Sequence, residues 1–297
     1  MKKKVVFVAD DFGQTDGINR AVIESFEKGI VRSASIVING AYAEDAIAYA
    51  KSHRDLDTGI HLALVYEKPV SSESEYSSLI NPKTKRFYDN RYTLFLKVII
   101  GQISLADIKT ELDAQIQLLK SKGISCTFVN SHDHIHFFPP IFKIVIKLCK
   151  KHNITFVRIP NETIKLNYQM LKSGEFWRGI FGNRNIARII LRFIYLLFFR
   201  RYEFTSVKKT DYFKGILYNC VMTVESLMNI ITSIKPGITE VICHPAYDEA
   251  EYKKLNHYKY MKNYKREREL KSLCNPDIYK LVEKYDIKIT SYKDLTQ

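Results

Sequence analysis

Apolar positions along this chain alternate between two periods. Lys3–Ala9 is a short run rich in β-branched residues and reads as a strand; from about Gly17 to Lys28 the apolar residues return every three or four positions, as on one face of a helix. The alternation continues with strands at Ala34–Ile38 and Thr58–Leu64 and a helix between them at Tyr42–His53. Ser71–Arg91 is polar and aperiodic and reads as a loop. Leu105–Lys122 predicts an amphipathic helix, with Ile108, Leu112, Ile116 and Leu119 at i, i+4, i+8 and i+11. Further on, Thr127–Asn130, Thr155–Ile159, Val241–Cys243 and Lys288–Ser291 read as strands, and Ile141–His152, Val224–Ile234 and Asp277–Lys284 as helices. Strands alternating with helices imply a parallel sheet, and this many βα units favour a closed or nearly closed barrel. No repeat, low-complexity tract or Pro/Gly/Ser-rich linker divides the chain, so residues 1–297 are expected to form one α/β domain with an insertion.

The insertion is Asn161–Lys209. Its centre, Ile186–Phe199, is strongly apolar but contains Arg188 and Arg192, and Arg200-Arg201 closes it. Fourteen residues interrupted by two arginines are too few for a membrane span. Three roles stay open: a lid over the barrel mouth, a contact in a homodimer, and a basic amphipathic helix lying through residues 186–201 on an anionic membrane surface.

Hydrophobic residues make up 46% of the chain and charged residues 26%, enough for a sizeable core. The net charge of +14 raises nucleic acid, anionic membrane and acidic substrate as partners. Much of the excess lies in Arg178–Arg201 and in Lys253–Lys271, within YKKLNHYKYMKNYKRERELK, where tyrosines interleave the cations. No Gly-rich phosphate loop, zinc-finger spacing or RNA-binding signature accompanies these runs, so they read as solvated faces and no specific nucleic acid is expected. Five cysteines without a CxxC pair argue against a disulfide framework and for a reducing compartment. Three lysines and Val5–Val8 imitate a signal peptide, but Asp10 ends the apolar run too early. The reading is cytoplasmic, or peripheral at the inner membrane face if the insertion binds lipid.

The distinctive polar residues fall at predicted strand ends, where β/α barrels place their active sites. Asp10-Asp11 end the first strand, His61 lies in GIHLAL, Ser131–His136 (SHDHIH) follow the fourth strand, Arg158 is in VRIP, and His244 follows VIC. Five of the eight histidines occupy such positions. DDFG contains the DFG of protein kinases, but no Gly-rich loop precedes it and no HRD is present, so Phe12-Gly13 reads as a strand-to-helix turn. A carboxylate and two imidazoles from separate strands match a metal site with open positions for water and substrate. A cation there would compensate one of the paired aspartates and leave the other free as a base. If the strand carried on through SHDHIH, His136 would share a face with His132, which favours His136 over His134 as a pocket residue.

Seven segments in order, VADDFG, GIVRSASIVING, GIHLAL, NSHDHIHFFP, KTDYFKGI, EVICHPAYD and REREL, span nearly the whole chain. On these the sequence resembles the YdjC-like carbohydrate deacetylases, the family that includes chitin disaccharide deacetylase. The resemblance implies a deviant (β/α) barrel of the polysaccharide-deacetylase type, and removal of an acetyl group from an N-acetylated sugar with one divalent metal ion. Carried onto matching positions, it implies Asp11, His61 and His132 as metal ligands, Asp10 as catalytic base and His244 as acid. It also implies Arg158 as the arginine that orients the base. His134 and His136 would line the substrate pocket or support the ligands. Where the family pattern often carries an aspartate before SHxHxH, this chain has Asn130. The ligand types favour Zn²⁺ or another transition metal, although the family is often described with Mg²⁺. The apolar insertion raises a lipid-linked sugar as substrate. The alternatives are a metal-dependent hydrolase of another bond, such as a phosphoester, and a non-catalytic membrane-surface or nucleic-acid-binding protein.

Overall fold

The computed structural model describes residues 2–71, 78–164, 166, 168–200, 202, 204–205, 207–247 and 264–296. Residues 72–77 of the polar loop, Arg201, and most of the tyrosine-rich basic run (248–263) lie outside the described residues. The first strand, β1 (Lys3–Phe12), is central. Its residues from Val5 onward are buried, which explains a continuous apolar run rather than an alternating one: both faces of the sheet are covered. Helix α1 (Asp16–Glu27) starts where the Thr15 side chain accepts the Ile18 N–H. Strand β2 (Ser33–Ile36), helix α2 (Ala43–Ser52) and strand β3 (Asp57–Leu62) follow as their periods predict.

A hairpin, β4 (Ile80–Asn81) and β5 (Arg86–Phe87), occupies the stretch read as a loop. An unpredicted helix, α3 (Arg91–Ile99), follows it; Asn90 caps this helix by accepting the Thr93 N–H. Then come α4 (Leu105–Ser121), β6 (Phe128–Ser131), a 3₁₀ turn at His132–Phe137, α5 (Pro139–His152) and the two-residue β7 (Phe156–Val157). The insertion folds as α6 (Tyr168–Lys172), α7 (Gly174–Phe181), α8 (Asn183–Ile194) and a π-helical turn at Tyr195–Phe199. The chain ends with β8 (Tyr212–Lys214), α9 (Val224–Thr232), β9 (Gly237–Cys243), α10 (Arg266–Leu273), α11 (Pro276–Lys284) and β10 (Ile287–Ile289).

The sheet order is β7-β6-β3-β2-β1-β9-β8, with β10 also paired to the start of β1, and every one of these pairings is parallel. Lys208, just before β8, bridges in parallel to Phe156 of β7, so the two ends of the sheet meet and the barrel nearly closes. The expected α/β barrel with a helical insertion is therefore the fold observed. Its five cysteines are free thiols. Among the described residues, no helix is long and apolar enough to cross a membrane.

The expected continuation of β6 through SHDHIH does not form. The strand stops at Ser131, whose Oγ accepts the His136 N–H at 2.9 Å, and Asp133 and His134 turn the chain with left-handed φ of 54° each. His132 and His136 therefore do not share a strand face.

Candidate active site

Successive residues of a strand point to opposite faces, so two adjacent aspartates should not enter one site. The structure brings them together with a bulge. Between β1 and β2 the register runs from Ala9↔Ala34 to Phe12↔Ile36, one residue longer on β1, and Asp11 takes the left-handed φ of 66°. Asp tolerates that region better than most residues. Both carboxylates end up buried at the C-terminal end of β1.

Each carboxylate has its own guanidinium. Arg158, fully buried, grips Asp10 with two hydrogen bonds, Nη1 to Oδ2 at 2.5 Å and Nη2 to Oδ1 at 2.9 Å, while its Nε donates to Glu240 Oε1 at 2.5 Å. Ser35 Oγ and Asn130 Nδ2 also donate to Asp10 Oδ1, at 2.9 and 3.0 Å. Burial alone would raise the Asp10 pKa, but Arg158, with His61 and His244, holds it well below the ordinary carboxylate value. Arg266, from α10, donates Nη2 to Asp11 Oδ2 at 2.8 Å. Burial likewise opposes the charge on Asp11, and Arg266 and His132 outweigh it, so that Asp11 too is held well below the ordinary value.

Asp11 Oδ1 is left facing two imidazoles, His132 Nδ1 at 2.9 Å and His61 Nε2 at 3.4 Å. The three donor atoms lie within 4.8 Å of one another and are buried. Donors about 2.1 Å from a tetrahedral cation are spaced ~3.4 Å apart, so the His61–Asp11 spacing already matches and the His132–Asp11 spacing needs to open by about 0.5 Å. The outer contacts also fit. Asn130 Nδ2 is committed to Asp10, which makes Asn130 Oδ1 the acceptor of His61 Nδ1–H at 2.7 Å; His61 Nε2 then carries the lone pair turned toward Asp11. The donor set and its orientation thus suit a divalent metal ion of the type that binds nitrogen and oxygen ligands.

Asn130 ties a presumptive ligand to the neighbouring carboxylate. An aspartate here would set a third negative oxygen 3.0 Å from Asp10, where the amide donates instead. Asn130→Ala removes both bonds, and chelator competition is expected to show metal affinity reduced by about ten- to a hundredfold; unchanged affinity would deny Asn130 this role.

The remaining predicted residues separate. His244 Nε2 lies 3.7 Å from Asp10 Oδ2, and its buried Nδ1 has no hydrogen-bond partner among the described residues. Burial pushes its pKa down to about 4, so the ring is neutral near pH 7. His134 is half-buried beside Phe213, and its Nδ1 also has no partner among the described residues. His136 is fully buried, with Nδ1 bonded to Ser131 Oγ at 2.5 Å and Nε2 to the Arg158 backbone oxygen at 2.9 Å. The shared strand face that favoured His136 as a pocket residue is therefore absent, and His136, bonded through both ring nitrogens, braces the turn behind His132. Arg266 was not among the residues singled out, although REREL was; its charge run looked like a solvated face.

The chain is similar to known proteins over nearly its whole length. The family model described as "YdjC-like protein" matches residues 4–284. The carbohydrate deacetylase of Thermoanaerobacter pseudethanolicus is 27% identical over 99% of this chain and 99% of its own length. That of Clostridium beijerinckii is 27% identical over 98% of this chain and all of its own. A solved structure from Enterococcus faecalis, described as a candidate cellobiose-phosphate cleavage protein, covers 99% of both chains with a TM-score of 0.74 at 19% identity, a likeness of fold. With a family match spanning β1 to α11 and the site assembled from its quoted segments, the chain belongs to the YdjC-like family.

Proposed function

We propose that this protein is a carbohydrate deacetylase, a metal-dependent hydrolase that cleaves the acetyl–nitrogen bond of an N-acetylated sugar. The observation that carries this reading is the meeting of Asp11, His61 and His132 beside an Asp10 clamped by Arg158. Full-length relatives named carbohydrate deacetylases support it. A divalent cation held by Asp11, His61 and His132 would supply Lewis-acid polarisation of the acetyl carbonyl and a more acidic water.

The protein's own residues move the protons. Asp10, fixed by Arg158, Ser35 and Asn130, accepts the proton of the attacking water as the new C–O bond forms. Its depressed pKa makes it a reluctant holder of that proton. His244 Nε2, neutral and 3.7 Å from Asp10 Oδ2, has the greater proton affinity, takes the proton on and delivers it to the amine nitrogen as the C–N bond breaks. The products are acetate and the free amino sugar. Of the two histidines of the turn, His134 is the one we assign to the substrate side, since both ring nitrogens of His136 are bonded within the protein.

The test is acetate release from a panel of N-acetylated sugars by chelator-treated protein, then with Zn²⁺, Mg²⁺, Mn²⁺ or Co²⁺ restored. Activity should fall at least about a hundredfold on stripping and return with one of the ions. Full activity without metal, or release of phosphate from phosphorylated sugars with no acetate from any substrate, would refute the reading.

A further inference from the structure

Helix α8 is apolar on the side that meets solvent as well as on the side that meets the barrel. Arg188 and Arg192 turn toward the barrel, where Arg188 Nη1 donates to the Glu162 backbone oxygen at 3.4 Å and Arg192 Nη1 to Asn161 Oδ1 at 2.6 Å. The outer stripe is Ile186, Ile189, Ile190, Phe193 and Leu197, all exposed and spaced i, i+3, i+4, i+7 and i+11. A helix that only covers a barrel mouth buries such a stripe against the protein. Here Leu191 and Ile194 pack against the core beside the two arginines, and a second apolar stripe is left facing away.

The same feature recurs nearby. Phe181, ending α7, is 84% exposed, and α3 exposes Leu96, Ile99 and Ile100. Both regions border the turn that carries His132. Phe95 of α3 stacks on Phe138 at 4.5 Å, and Phe199, closing the π-helical turn, packs on Phe137 at 4.6 Å. Exposed apolar stripes of this kind mark an interaction site.

Charge selects the partner. Residues 161–209 contain ten Lys and Arg against three Glu, a net of +7, which is half the net charge of the whole chain. Of those glutamates, Glu162 is buried and Glu175 is paired with Arg178 at 3.0 Å. Two copies meeting through this face would set +7 against +7. An anionic bilayer complements both features, taking up the apolar stripe and attracting the net positive charge of the insertion. We infer that the outer face of residues 186–198, with α3, docks onto an anionic lipid bilayer and holds the rim of the active site against the headgroups.

Flotation with vesicles of phosphatidylcholine containing phosphatidylglycerol tests this. The protein should float with these vesicles and much less with pure phosphatidylcholine, and binding should weaken as salt is raised. The double variant Ile190→Glu/Phe193→Glu, altered only at exposed positions, should lose at least about tenfold in partitioning. No flotation on anionic vesicles, or equal flotation of the variant, would overturn the inference. So would light scattering that shows a dimer which this variant dissociates, since a second copy would then own the face. Turnover of a soluble acetylated sugar by the variant is read in parallel; docking and deacetylation can thus fail separately.

Discussion

Asp10→Asn is expected to lower acetate release by about 10²–10⁴-fold while the metal stays bound, because the amide has no basic oxygen to take the water's proton. The ligand atoms of Asp11, His61 and His132 are untouched by the change, so metal content should stay near that of the parent protein. The substitution also turns one acceptor into a donor facing Arg158 or Ser35, which costs on the order of 1–3 kcal/mol. A thermal melt beside the kinetics separates this loss from lost catalysis. Turnover within a few-fold of the parent would show that Asp10 is not the base.

Arg158→Met should have the largest effect on stability. The side chain is buried between Asp10 and Glu240, and methionine leaves both carboxylates without their guanidinium. Removing one partner of a buried ion pair costs about 3–5 kcal/mol, which for a chain of this size lowers Tm by roughly 10 °C. The pH dependence follows from the sign of the shifts. In the parent protein Asp10 lies below its ordinary 3.8, so its contribution is present above that value and is lost only as pH falls through the lower, folded value. Without Arg158, burial raises both carboxylates, and the variant is penalised increasingly as pH rises above about 4. The Tm gap between the two proteins should therefore widen between pH 4 and pH 7. A gap that stays constant with pH would mean that packing, not charge, accounts for the loss. Arg158→Lys should recover part of the stability and little of the activity, since a single ammonium cannot grip both oxygens of Asp10.

Much of this molecule was legible because its strands are covered on both faces. Lys3–Ala9 and Ala34–Ile38 read as strands from their apolar residues alone, and the polar groups at predicted strand ends pointed to the active-site rim. Helix α3 was hidden because Leu94, Phe95 and Val98 pack inward while Leu96 and Ile99 face outward, so no polar face marked a helical period. β8 was hidden by its length of three residues. In the site, the alternation of SHDHIH suggested a strand, yet Ser131 capping the His136 N–H favoured a turn. The paired aspartates were visible as an oddity, but a bulge that aims both inward and a separate arginine for each are products of tertiary structure. Arg266 lies 255 residues from Asp11, and nothing local to REREL distinguishes it from a solvated cation.

Strand β1 is made well before the two strands that complete it. Lys3 pairs with Gly237 on one side and with Ile287 on the other, so β1 waits, apolar and with open edges, for most of the chain to be made. Contacts so distant in sequence make for slow folding and a long interval of exposure during synthesis. The nascent protein is thus a natural client of chaperones, and its paired aspartates acquire their places only once β9 has been made.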